Sequence, residues 1–173
     1  MNKEIWESFS DRTGGRCTIE EKTHMRGYIN KYQIKYDLSG RNALFECYEH
    51  KTSTTSAWYK KSYSMFFLYP IKSDLSYELI PVNWVTRLFS NKKLLLNRFK
   101  LKSNRKDLID FTCNYNSLSF LNRYDFKMRI KRSKDKNDNY SALVIESKAH
   151  INEHDILVNI LNFFRAFPAS TWS

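Results

Sequence analysis

The chain has 173 residues, 42% apolar and 16% aromatic, which is enough to bury a core in one domain (residues 1–173) without disulfides or a structural metal. The opening Met1-Asn2-Lys3-Glu4 carries charges where a secretory signal needs an apolar stretch, no later segment approaches the roughly 18 apolar residues of a membrane span, and Cys17, Cys47 and Cys113 form no paired framework. These features speak against export and membrane insertion and predict a cytoplasmic protein, while a formal charge of +11 favours polyanionic partners.

Taken in chain order, the four glycines (Gly14, Gly15, Gly27, Gly40) all fall in the first quarter, where they mark turns between an opening segment and the first strands. None forms a phosphate-cradling loop, so there is no reason to invoke a nucleotide cofactor. Tyr32, Ile34 and Tyr36 alternate with polar residues, as do Phe45 and Cys47, and both runs read as half-buried strands. Residues 52–56 read as a polar loop. Met65-Phe66-Phe67-Leu68-Tyr69 is short and continuously apolar, which predicts a central strand buried on both faces. Tyr77 to Val82 is a further strand, and Pro81 confines it to a sheet edge or a strand end.

The second half begins with a strand over residues 98–102. Asn104, with Asp107 three residues on, is placed to cap a helix carrying Leu108, Phe111, Tyr115 and Leu118. Residues 125–131 and 141–148 are two strands joined by a polar turn over 133–139, hence a hairpin. Asn152 with Asp155 repeats the capping pattern before Ile156, Ile160, Phe163, Phe164 and Phe167, a closing helix that ends near Pro168. The expected fold is α+β: an antiparallel or mixed sheet with helices on one face, mostly strands in the N-terminal half, then strand-helix-strand-strand-helix. The latter order resembles the split β-α-β motif of ferredoxin-like folds.

Charge is unevenly distributed. Residues 1–86 hold 12 basic and 10 acidic side chains, a balance of +2, and residues 87–173 hold 17 and 8, a balance of +9. Eight cations and no acid lie between Arg87 and Lys106; seven cations and two acids lie between Arg123 and Lys136. The abundance of Asn, Ile, Tyr and Phe is what AT-rich coding produces, and such coding raises Lys by itself, so the distribution matters more than the total. In Arg98-Phe99-Lys100-Leu101-Lys102 and in Lys127-Met128-Arg129-Ile130-Lys131 the cations share one strand face and the apolar residues the other. Six cations (Arg98, Lys100, Lys102, Lys127, Arg129, Lys131) are therefore expected on the open side of one sheet. Phe99 and Phe126 point to the core, so these two strands offer no aromatic row for reading bases.

Three readings of function follow. The first is a non-enzymatic binding module or complex subunit that engages nucleic acid or an acidic protein surface through these six cations, with no cofactor and no membrane partner. In the second, Asp125 followed by Glu146-Ser147-Lys148 after apolar Leu143-Val144-Ile145 resembles the PD-(D/E)xK nuclease core. That resemblance implies Asp125 and Glu146 on a shared Mg²⁺, with Lys148 orienting the attacking water. The pattern is cheap, since Glu49-His50-Lys51 with Asp37 upstream repeats it. The third is a small inhibitor or immunity-type protein that neutralises an acidic partner. Cys17, His24, Cys47 and His50 are ligand types zinc accepts, but their spacing matches no standard finger, and on one strand Cys47 and His50 would face opposite ways. They are assigned to core and surface and not to a metal. His150 and His154 are expected to lie on either side of a helix start, and Cys113 is expected in a core helix. Trp58, Tyr59 and Trp84 could anchor a partner or close the core, and Trp84 is assigned to the core.

Overall fold

The computed structural model describes residues 3–24, 27–38, 40–53, 59–71, 75–83, 98–114, 118, 120–124, 126–132, 141–151 and 153–168. They form α1 (Lys3–Thr13), β1 (Arg16–His24), β2 (Gly27–Asp37), β3 (Asn42–Ser53), β4 (Tyr59–Ile71), β5 (Tyr77–Pro81), β6 (Phe99–Ser103), α2 (Lys106–Asn114), α3 (Phe120–Arg123), β7 (Lys127–Arg132), β8 (Ser141–Ser147) and α4 (His154–Ala166). All eight strands join one antiparallel sheet in the order β1-β2-β3-β4-β8-β7-β5-β6. The first four strands form a meander. The β7–β8 hairpin then inserts between β4 and β5, which are consecutive in the chain. No helix among the described residues is long and apolar enough to cross a membrane.

Alternation decides which face each strand buries. On β2 Tyr32, Ile34 and Tyr36 are buried, on β3 Ala43, Phe45 and Cys47, on β4 Met65, Phe67 and Tyr69, and on β7 Met128. The helices lie on this face. Trp6 and Phe9 of α1 and the apolar stripe Ile156, Leu157, Ile160, Leu161, Phe163 and Phe164 of α4 are buried there. The layers meet in an aromatic cluster: Phe45 lies 4.7 Å from Phe67, 6.0 Å from Phe9 and 6.0 Å from Phe164, centroid to centroid.

Several sequence expectations need correction. The opening segment, assigned no element above, is α1, with Ile5, Trp6 and Phe9 set toward the sheet. β4 is central but not buried on both faces: Phe66 and Leu68 are half-exposed. Thr52 and Ser53 belong to β3 and not to a loop, since Thr52 pairs with Gly27 of β2 and with Lys60 of β4, and Ser53 with Tyr59 of β4; 54–58 lie outside the described residues. Pro81 is the last residue of β5, where its missing N–H costs no ladder bond, although β5 itself is interior.

The capping residue of α4 is Glu153, one position after Asn152, which is outside the described residues. The Glu153 carboxylate makes no capping bond; it is drawn to the Arg123 guanidinium and to the Tyr124 hydroxyl, which donates at 3.0 Å. α2 starts two residues after Asn104, whose side-chain carbonyl accepts from the Ser76 N–H at 3.0 Å. Tyr115 falls outside the described residues, as do the turn over 133–139 and both Trp58 and Trp84. Cys113 is exposed on α2 and so is not a core residue.

One buried polar link ties β5 to α2. The Thr112 hydroxyl donates to the Leu108 carbonyl at 2.7 Å, so the Tyr77 hydroxyl donates to Thr112 Oγ1 at 3.0 Å. Burial pushes the Tyr77 phenol well above its usual range. Tyr77→Phe keeps the ring and leaves Thr112 without its donor, so it should cost about 1 kcal/mol, read as a lower urea midpoint at an unchanged m-value.

Candidate functional site

The two basic strands lie in one sheet but are not neighbours, because β5 runs between them. On β6 Phe99 is fully buried while Lys100 and Lys102 are exposed; on β7 Met128 is fully buried while Lys127 and Arg129 are exposed and Lys131 is half-buried. These five cations thus point away from the helices, onto the open face. Arg98 precedes β6, is half-buried, and carries its guanidinium 5.9 Å from the ring centroid of core-facing Phe99.

Acids interleave with these cations to an extent that the alternation within each strand did not reveal. Glu78 of β5 is in register with Lys102 on one side and Arg129 on the other. Glu146 of β8 is in register with Lys127, and its carboxylate accepts from Arg129 at 3.2 Å and from Lys131 Nζ. Burial works to raise the Glu146 pKa, but the hydrogen bond and charge of Lys131, joined by those of Arg129, outweigh it and hold the carboxyl below its ordinary range. Arg129 and Lys131 therefore spend part of their charge inside the protein. Lys100, Lys102 and Lys127 make no ion pair among the described residues, and neither does Lys148, which is exposed just beyond β8.

The open face deepens into a cleft of about 760 Å³ where the end of β8 runs between β4 and the start of β7. Phe66, Arg123, Tyr124, Lys127, Glu146 and Lys148 line it. A smaller groove of about 270 Å³ between β5 and β6 is lined by Glu78, Ile80, Lys100 and Lys102. Lys127 borders the larger cleft on the side of β5, so the cations of β6 and those of the cleft share one continuous face.

Of the nuclease-like constellation, Asp125 lies outside the described residues, Glu146 is engaged by two cations, and Lys148 follows the strand end. The three candidate zinc ligands whose side chains are described do not converge. Cys47 is buried on the helix face, His50 stacks on Tyr48 on the open face, Cys17 is half-buried on β1, and the side chain of His24 is outside the described residues. Burial pushes the Cys47 thiol up to about 12, and burial with nearby Glu7 and Asp11 raises Cys17. No group of three His, Cys, Asp or Glu side chains converges among the described residues. His150 packs 4.4 Å from the Tyr63 ring and His154 sits 5.3 Å from Phe9, two separate places in the helix layer.

No protein-family model, no curated protein and no solved structure matches this chain. What the open face does must therefore be argued from its chemistry. Sequence reasoning found Lys100, Lys102 and Lys127 but missed Phe66, Arg123 and Glu78 as their companions. The alternation of β4 was the available signal for Phe66, but five apolar residues in a row hide which of them face outward.

Proposed function

We propose that this protein is a non-enzymatic binding module that holds a polyanion, nucleic acid or an acidic protein surface, against the open face of its sheet. The observation that carries this reading is the set of three lysines, Lys100, Lys102 and Lys127, presented on one face without an ion pair among the described residues. Lys100 and Lys102 stand on β6 and Lys127 on β7, with β5 between them; Glu78 and Glu146 lie in register with Lys102 and Lys127 but form no ion pair with them among the described residues, so the three ammonium groups stay available to an anion. A polyanion that settles on them gives up its condensed counter-ions, which favours binding. The +9 balance of residues 87–173 supplies long-range attraction toward such a partner. Glu146 fits this reading better than catalysis, because its carboxylate already serves Arg129 and Lys131.

Reversing Lys100, Lys102 and Lys127 to Glu tests the proposal. All three side chains are exposed, so the fold should survive, as checked by circular dichroism. Retention on heparin should collapse, and the dependence of log affinity on log salt should flatten by about three. Unchanged retention would overturn the reading.

A further inference from the structure

We infer that the polyanion is single-stranded nucleic acid, with one base stacked on Phe66 inside the cleft and the flanking phosphates on Lys127 and Lys148. This rests on the polyanion reading above and adds the class of ligand. Phe66 is a half-exposed aromatic ring near the middle of the open face. Register places it beside Glu146, and Glu146 beside Lys127, so the backbones of Phe66 and Lys127 lie two strands, roughly 10 Å, apart. Both line the same cleft, together with Lys148, Arg123 and the Tyr124 ring.

Each candidate polyanion makes different demands on such a cleft. An acidic peptide needs cations and gains nothing from a phenyl ring among them. A duplex keeps its bases stacked on one another and offers a flat sheet only phosphates. A single strand presents both phosphates and unstacked bases, and an aromatic ring beside lysines satisfies both, with stacking worth about 1–3 kcal/mol per base. Phe66 is the better placed ring. Tyr48, its neighbour on β3 at 6.1 Å, already has Lys31 Nζ over its ring at 5.8 Å, and the Tyr124 hydroxyl is held by Glu153. Stacking reads no particular base edge, so the binding should tolerate many sequences.

Fluorescence anisotropy tests this with a labelled 12-nucleotide DNA single strand, the RNA of the same sequence and the corresponding DNA duplex, with polyglutamate as competitor. The wild type should bind the single strands at least ten-fold tighter than the duplex. Phe66→Leu keeps an apolar side chain in β4 and should weaken single-strand binding about ten-fold while leaving heparin retention unchanged; Phe66→Tyr, which retains the ring, should bind like the wild type. Equal affinity for single strand and duplex, a Phe66→Leu protein that binds single strands as the wild type does, or displacement by polyglutamate at equal charge would each overturn the inference and leave the polyanion reading standing. Failure of the wild type to bind any of these polyanions or heparin would overturn both. If Phe66→Leu does not fold, the wild-type comparison of single strand with duplex decides.

Discussion

Phe45→Ala should cost about 3–5 kcal/mol and bring the domain close to unfolding. Phe45 is fully buried on β3, and its ring is the point where three layers of contact meet: Phe9 from α1, Phe164 from α4, and Tyr36 and Phe67 from the neighbouring strands. Truncation removes the transfer free energy of the ring and leaves a cavity whose walls are themselves rings fixed on four different elements, so little collapse can refill it. A domain of this size is held by only about 5–15 kcal/mol, so the loss is a large part of the total. The check is a urea titration read by circular dichroism. Leu44, the preceding residue, is half-exposed on the open face and serves as the control, since its replacement by alanine removes far less burial. A Phe45→Ala loss below about 1 kcal/mol would contradict the assignment of faces in β3.

That assignment was legible in the sequence where alternation is clean. Tyr32-Ile34-Tyr36, Phe99 against Lys100, and Met128 against Lys127 and Arg129 each point as period two requires, and the stripe of α4 runs to Phe167 before Pro168 as expected. The order of strands was not legible. Local pattern says what faces a strand has but not which strands it joins, and the insertion of the β7–β8 hairpin between β4 and β5 is a long-range choice. The candidate site inherits both halves of this. The cations could be assigned to a face from their own strands, whereas Glu78 between Lys102 and Arg129, and Phe66 beside the cleft, arrive only through strand order.

Glu146→Gln should make the protein less stable and a stronger polyanion binder at once. The amide keeps the shape of the side chain and removes the charge that holds Arg129 and Lys131. Both cations are close to half exposed, so water screens the pair and the cost should be roughly 1–2 kcal/mol at neutral pH. The pH dependence has a definite sign. The folded-state pKa of Glu146 is depressed, so its contribution is fully present above the ordinary carboxyl range near 4.3 and is lost as pH falls through the lower folded value. The stability gap between wild type and Glu146→Gln should therefore be widest at neutral pH and narrow in acid, as denaturation midpoints across that range would report. Binding should move the other way, because the face gains one net positive charge and two freed cations; elution from heparin should shift to higher salt, with a salt slope steeper by about one. A metal-bound pair of carboxylates predicts the opposite: the same substitution would remove a ligand and abolish Mg²⁺-dependent cleavage. Weaker heparin retention with an intact fold would mean that Glu146 orients the cations the ligand uses, and that Arg129 and Lys131 bind through it and not in spite of it.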